Sequence, residues 1–155
     1  MITIEIPSMA HRAALERIAQ QLHQCHVHWR PDIFEPARQL LSEEELGQLI
    51  RQERIFAAKE DGAVVGYAIV STKELKSTGC KYSRTLKIDA LAVEQSHRGR
   101  GVGTALLEFL KTHAAENGDT DIRLTVNEEN ETAIRLYEKA GFRVKNIAYS
   151  LHIAP

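Results

Sequence analysis

The residues with the most chemical content lie in one run, Gln95-Ser96-His97-Arg98-Gly99-Arg100-Gly101-Val102-Gly103-Thr104. It follows an apolar, strand-like stretch over 86–93 and opens a helix-like stretch over 102–115. A glycine-rich turn at a helix start leaves backbone N–H groups unpaired, at the positive end of the helix dipole. Such a turn is a phosphate site. Arg98 and Arg100 add positive charge where a pyrophosphate would sit. The implied ligand is a cofactor that carries phosphates.

Three phosphate-binding turns can be compared. A Walker loop needs Gly-x-x-x-x-Gly-Lys-Ser/Thr, and the sequence contains no such string. Gly99-x-Gly101-x-Gly103 has the wrong spacing for the dinucleotide fingerprint, and no early strand–turn–helix unit precedes it. Arg98-x-x-Gly101-x-Gly103 does fit a third pattern. It resembles the signature of the GNAT acetyltransferases, Arg/Gln-x-x-Gly-x-Gly/Ala between a strand and a helix. A second segment resembles that family's other landmark: Asn130, Ala133 and then Leu136-Tyr137-Glu138-Lys139-Ala140-Gly141-Phe142, after the strand-like 122–126. Asn127 can end that strand, Asn130 can cap the helix and Gly141 can stop it. Capping and an apolar stripe account for each piece alone. They do not account for both landmarks in this order.

The resemblance implies a set of roles. The arm of acetyl-CoA would enter between two central strands that splay apart, pairing with backbone groups of Leu91, Ala92 and Val93 as an added strand does. A backbone N–H near Leu91 would polarise the acetyl carbonyl. Residues 98–104 would wrap the pyrophosphate. Asn130 would contact the pantetheine arm or serve only as a helix cap. Tyr137 would protonate the departing thiolate, as the matching tyrosine does in many relatives; otherwise it is core. Asp89 would be the general base, lying two residues from Leu91 and so on the same strand face. Its alternative is a salt bridge with Lys87 or Arg123, because a buried unpaired carboxylate is costly. Trp29 and Phe34, in a His/Pro-Asp-x-Phe-like loop, would line a pocket for an amine-bearing small molecule or anchor the loop to the core. Tyr149 and His152 are lesser pocket residues.

These groups need a scaffold. The chain has 155 residues, 43% hydrophobic and 26% charged, which suits one soluble α/β domain spanning 1–155. With 20 Lys and Arg against 21 Asp and Glu, the net charge is −1, which disfavours a nucleic-acid partner. The apolar runs are too short to span a membrane, and the N-terminus does not read as a signal peptide. Cys25 and Cys80 stand far apart, so the expected location is the cytoplasm, with both thiols reduced. His23, Cys25, His26 and His28 lack metal-ligand spacing, so no metal is expected.

Alternation and helical periodicity predict strands at 2–6, 54–59, 63–75, 84–93, 121–126, 142–144 and 147–153. They predict helices at 9–23, at 43 to about 52 behind a Ser42 capping box, at 102–115 and at 131–140. Asp61-Gly62 reads as a hairpin turn and Gly66 as a bulge. The order β-α-α-β-β-β-α-β-α-β-β matches the GNAT acyl-CoA N-acyltransferase fold: a mixed, mostly antiparallel central sheet flanked by helices. The implied function is acetyl transfer from acetyl-CoA to a primary amine by direct attack in a ternary complex. Two alternatives share the fold: a non-catalytic acyl-CoA-binding regulatory module, and a protein N-terminal or lysine acetyltransferase. Relatives often form homodimers.

Overall fold

Five strands form one sheet in the computed structural model, which describes residues 1–154. They are β1 (Ile2–Glu5), β2 (Ile55–Glu60), β3 (Ala63–Leu75), β4 (Ser83–Val93) and β5 (Asp121–Leu124), in spatial order β1-β2-β3-β4-β5. The first four pair antiparallel, and β5 joins β4 in parallel. The β2–β3 connection is the expected tight turn, with Asp61 at φ 51° and Gly62 at φ 80°.

The sheet separates two apolar layers, as the two-residue alternation of β2 requires. Ile55 and Ala57 join the core built under α1 (Arg12–Trp29) and α2 (Glu43–Arg51), with Leu15, Ile18, Leu46 and Tyr67. Phe56, between them, instead meets Phe109 of α3 (Val102–Glu116), with ring centroids 4.9 Å apart. Leu106, Leu107 and Leu110 of α3 are fully buried.

Two register shifts interrupt the ladders. One lies in β2–β3, where Ala58 pairs with Gly66 but Lys59 with Val64; Val65 is the extra residue, beside the glycine where the sequence predicts a bulge. The other lies in β3–β4, where Ile69 pairs with Ala90 and Val70 with Ile88, leaving Asp89 extra. The β4–β5 ladder ends at this same level, with Ile88 and Leu124 as its last partners.

The chain forms two compact units, Met1–Thr125 and Val126 onward. In the second, α4 (Glu131–Lys139) starts at Asn130, whose Oδ1 accepts the Ala133 N–H at 3.1 Å. It ends before Gly141 at φ 101°, the left-handed stop.

Two expectations fail. The strands at 142–144 and 147–153 do not form; 142–154 carries no regular structure. Val144, Ile147, Tyr149, Leu151 and Ile153 are 69–91% exposed. Alternation supplies the side chains for a strand, but a strand also needs a neighbour to complete its backbone hydrogen bonds. The first long helix differs as well: after a 3-10 turn at Met9–His11, α1 runs on to Trp29. Its last turn carries Cys25, His26 and His28, which periodicity alone does not mark as helical.

Candidate active site

The glycine turn stands where β4 ends. Gly99 and Gly101 have φ 74° and 88°, a conformation that costs a glycine little and a Cβ-bearing residue more. Gly101 is the N-cap of α3, and no side chain among the described residues caps it. The N–H groups of Val102, Gly103 and Thr104 therefore have no intrahelical or capping partner at the helix's positive end. Three contacts bolt the turn down. Gln21 on α1 accepts the Gln95 N–H at 2.9 Å, His97 lies 3.6 Å from the Glu60 carboxylate, and Arg98 Nε donates to the Val93 carbonyl at 3.3 Å. Arg100 is exposed. An anionic group fits this donor set.

Just before the turn, β4 loses a neighbour. Leu91, Ala92 and Val93 pair with Ala68, Tyr67 and Gly66 of β3 on one side, while the β5 ladder has already ended. Among the described residues, no strand pairs with their other edge. Sequence reasoning names these residues; the bulge that accompanies the break is not visible in composition.

The bulge also changes the position of Asp89. As the extra residue it interrupts the two-residue alternation, so its spacing from Leu91 does not set its face. Its carboxylate lies 3.5 Å from Arg54 Nη2 and 3.9 Å from Lys87 Nζ. Arg123, the other expected partner, is paired with Asp121.

On the α1 side of the sheet is a cavity of about 200 Å³. Helix α1 supplies Ala19, Leu22, His23 and His26 to its wall. Leu40 and Leu41 close one side, and Tyr67, Ile69 and Ala90 come from the sheet. A row of polar side chains on α1 fixes the segment that follows it. Arg12 donates to the Leu41 carbonyl, Glu16 accepts the N–H groups of Leu40 and Leu41 at 2.7 and 3.1 Å, and Gln20 donates to the Ala37 carbonyl. His23 Nε2 meets the Glu35 carbonyl at 2.7 Å. A carbonyl only accepts, so this nitrogen carries the proton. The spacing of positions 12, 16, 20 and 23 is helical, and that polar stripe is the signal the sequence offered.

His26 stacks on Phe34 at 5.1 Å and tilts against Trp29 at 5.9 Å. Trp29 and Phe34 thus pack behind the histidines that line the cavity rather than lining it themselves. Burial, and then the neighbouring His23, push the His26 pKa below its usual 6.5. Burial, and then the Glu16 carboxylate, push the Tyr67 phenol up to about 12. At neutral pH both present uncharged groups.

In the second unit, Tyr137 is 9% exposed and its ring meets Phe142 at 5.7 Å. Burial raises its pKa, keeping the phenol protonated. Tyr149 and His152 are exposed.

Known proteins with this pattern agree with one another. The acetyltransferase (GNAT) family profile matches residues 14–142. A streptothricin acetyltransferase from Escherichia coli is 35% identical over 86 residues, covering 56% of this chain and 48% of that protein. A mycothiol acetyltransferase from Propionibacterium freudenreichii is 33% identical over 113 residues, covering 73% of this chain and 30% of that protein. The chain therefore spans half or less of the length of these two relatives. Among solved structures, a mutant of the BH1408 protein from Bacillus halodurans superposes with a TM-score of 0.91 at 20% identity, covering 99% of each chain. The aminoglycoside acetyltransferase AAC(6')-Iy, bound to a CoA-acetylneamine bisubstrate analogue, superposes with a TM-score of 0.72 at 17% identity, covering 99% of each chain. These two likenesses concern the fold. With the family profile covering most of its length, and an open strand edge leading into an uncapped glycine turn, the chain belongs to the GNAT acetyltransferase family.

Proposed function

We propose that this protein is an acetyl-CoA-dependent N-acetyltransferase that acetylates a primary amine on a small molecule. The observation that carries the reading is the succession along β4: an edge that β5 leaves open, then a glycine turn with an uncapped helix N-terminus. The turn at 98–104 would hold the pyrophosphate of acetyl-CoA, with Arg98 and Arg100 as counter-charges. The backbone of Leu91, Ala92 and Val93 would pair with the arm, and Asn130 would contact it.

The amine nitrogen attacks the acetyl carbonyl, the carbon–sulfur bond breaks, and the thiolate takes a proton from Tyr137. The amine gives its proton to Asp89 through water. Holding both reactants in one complex supplies much of the rate. The cavity beside α1 is the acceptor site, and its concavity favours a small molecule over a protein tail. The reading includes a cytoplasmic location, supported by the two unpaired cysteines, Cys25 and Cys80. It also includes a homodimer, supported by the exposed apolar residues of 144–153.

Free-thiol release from acetyl-CoA in the presence of primary amines tests this directly. Amine-dependent release supports it. Tight acetyl-CoA binding without release from any amine or peptide would instead favour a non-catalytic acyl-CoA-binding module.

A further inference from the structure

From the cavity walls we infer that the acceptor is an amine with a single positive charge and a compact apolar body, such as an arylalkylamine or a branched alkylamine, and not a polycationic sugar or polyamine. The inference rests on the acetyltransferase reading and deepens it, because the relatives include proteins named for streptothricin and aminoglycosides.

Size comes first. A cavity of about 150 Å³ lined by aliphatic side chains takes up benzene. The space here, about 200 Å³, fits one ring or branched chain with a short arm. Its apolar surface comes from Leu22, Leu40, Leu41 and Ile69, with Ala19 and Ala90 as the small residues that leave the room.

Charge comes second. Among the described residues, the cavity lining contains no carboxylate. Glu16, the acid tied to this wall, already accepts from the N–H groups of Leu40 and Leu41 and from Gln20. The polar groups that remain are the Tyr67 phenol and two imidazoles. His23 spends Nε2 on the Glu35 carbonyl. His26, held uncharged by its surroundings, can accept one N–H from one amine. A ligand with three or four ammonium groups finds only these few acceptors on the walls, so most of its charges must stay in water and its body gains little from the apolar lining. An apolar body gains from the same walls about 25 cal/mol per Å² covered.

The test has two parts. First, phenethylamine and isoamylamine are compared with neamine and spermidine as acceptors by thiol release. The expected kcat/KM is at least about 100-fold higher for the apolar amines. Second, all four are titrated calorimetrically against the protein alone. Leu40→Asp, which places a carboxylate in the wall, is carried through both. It should weaken phenethylamine about 10-fold or more and narrow the gap to neamine. Equal or better turnover or binding of the polycations by the wild-type protein would overturn the inference. So would the absence of any binding by the apolar amines. Binding of phenethylamine over neamine without thiol release would keep the pocket's ligand preference but sink the acetyltransferase reading, and with it the amine's role as acceptor.

Discussion

A Cβ on Gly66 would stand 2.9 Å from Cγ1 of Val102, the first residue of α3, and 3.0 Å from the Ala92 carbonyl oxygen. The bulged stretch of β3 and the start of α3 are thus in closest packing through a residue with no side chain. The Ala92 oxygen is backbone and cannot turn away. Gly66→Ala should cost about 1–3 kcal/mol by overpacking, a fall in Tm of roughly 3–10 °C. It should also weaken acetyl-CoA binding, because relief requires moving the N-terminus of α3. Thermal unfolding together with acetyl-CoA titration checks both. Lost stability with unaltered cofactor affinity would show that the turn moves independently of the sheet.

Removing the Tyr137 hydroxyl isolates the proposed acid. Tyr137→Phe keeps the ring that meets Phe142 and should lower kcat by about 10²-fold or more, with little change in the Kd for acetyl-CoA. Because burial raises the phenol's pKa, kcat should show no loss attributable to Tyr137 ionisation below about pH 10. An unchanged kcat in the variant would return Tyr137 to a packing role.

Glu16 holds the cavity wall from behind. Glu16→Ala strands the N–H groups of Leu40 and Leu41, a loss of about 1–3 kcal/mol. The KM for the amine should rise while that for acetyl-CoA stays put. The Tyr67 phenol gives an independent readout, since the Glu16 carboxylate contributes to its pKa of about 12. Ultraviolet titration of Glu16→Gln should find that pKa lower than in the wild type yet still above 10, because burial is the larger cause. A drop to the ordinary tyrosine value would mean that Tyr67 is far more hydrated than its packing indicates.

His26 makes stability fall on the acid side. Its pKa in the folded protein lies below 6.5, so the unfolded chain binds the proton more readily as pH drops through 6.5. Its contribution is fully present above pH 6.5 and is lost progressively as pH falls toward the folded-state pKa. Burial, which includes the Phe34 and Trp29 rings packed on it, and then His23 on the same helix set this value; Tyr67 across the cavity stays uncharged. His26→Gln should lose less Tm than the wild type between about pH 7.5 and about pH 5.5. Parallel curves for the two proteins would place the His26 pKa at its ordinary value.

Much of the fold and of the glycine turn's local geometry was legible in the sequence, and for identifiable reasons. The turn, both landmarks and the caps at Ser42 and Asn130 are local, and local chemistry survives into the fold: Ser42 Oγ accepts the Glu45 N–H at 3.1 Å. The cavity was not legible. Its walls come from α1, the segment after it and two strands, and only the fold brings Leu22, Leu40 and Ala90 together. In the sequence His23 and His26 invite a test as metal ligands, whereas in the fold they face that space. Asp89 shows the opposite limit. Strand alternation suggests a base there, but a bulge at that residue undoes the alternation on which the spacing argument depends. The C-terminal segment reads as strands for the same reason that it misleads: alternation at 147–153 describes a surface ready for pairing, and no partner strand among the described residues accompanies it.

The end of the β4–β5 ladder at Ile88 and Leu124 has a consequence for inhibition. An unpaired stretch of strand inside a sheet does not distinguish a pantetheine amide from a peptide amide, because both offer the same alternation of donor and acceptor. A short extended peptidomimetic could occupy the edge of Leu91–Val93 without any nucleotide portion. Under the proposed placement of acetyl-CoA, such a compound would compete with it while leaving the turn at 98–104 empty, and its affinity would be nearly independent of ionic strength, unlike that of acetyl-CoA.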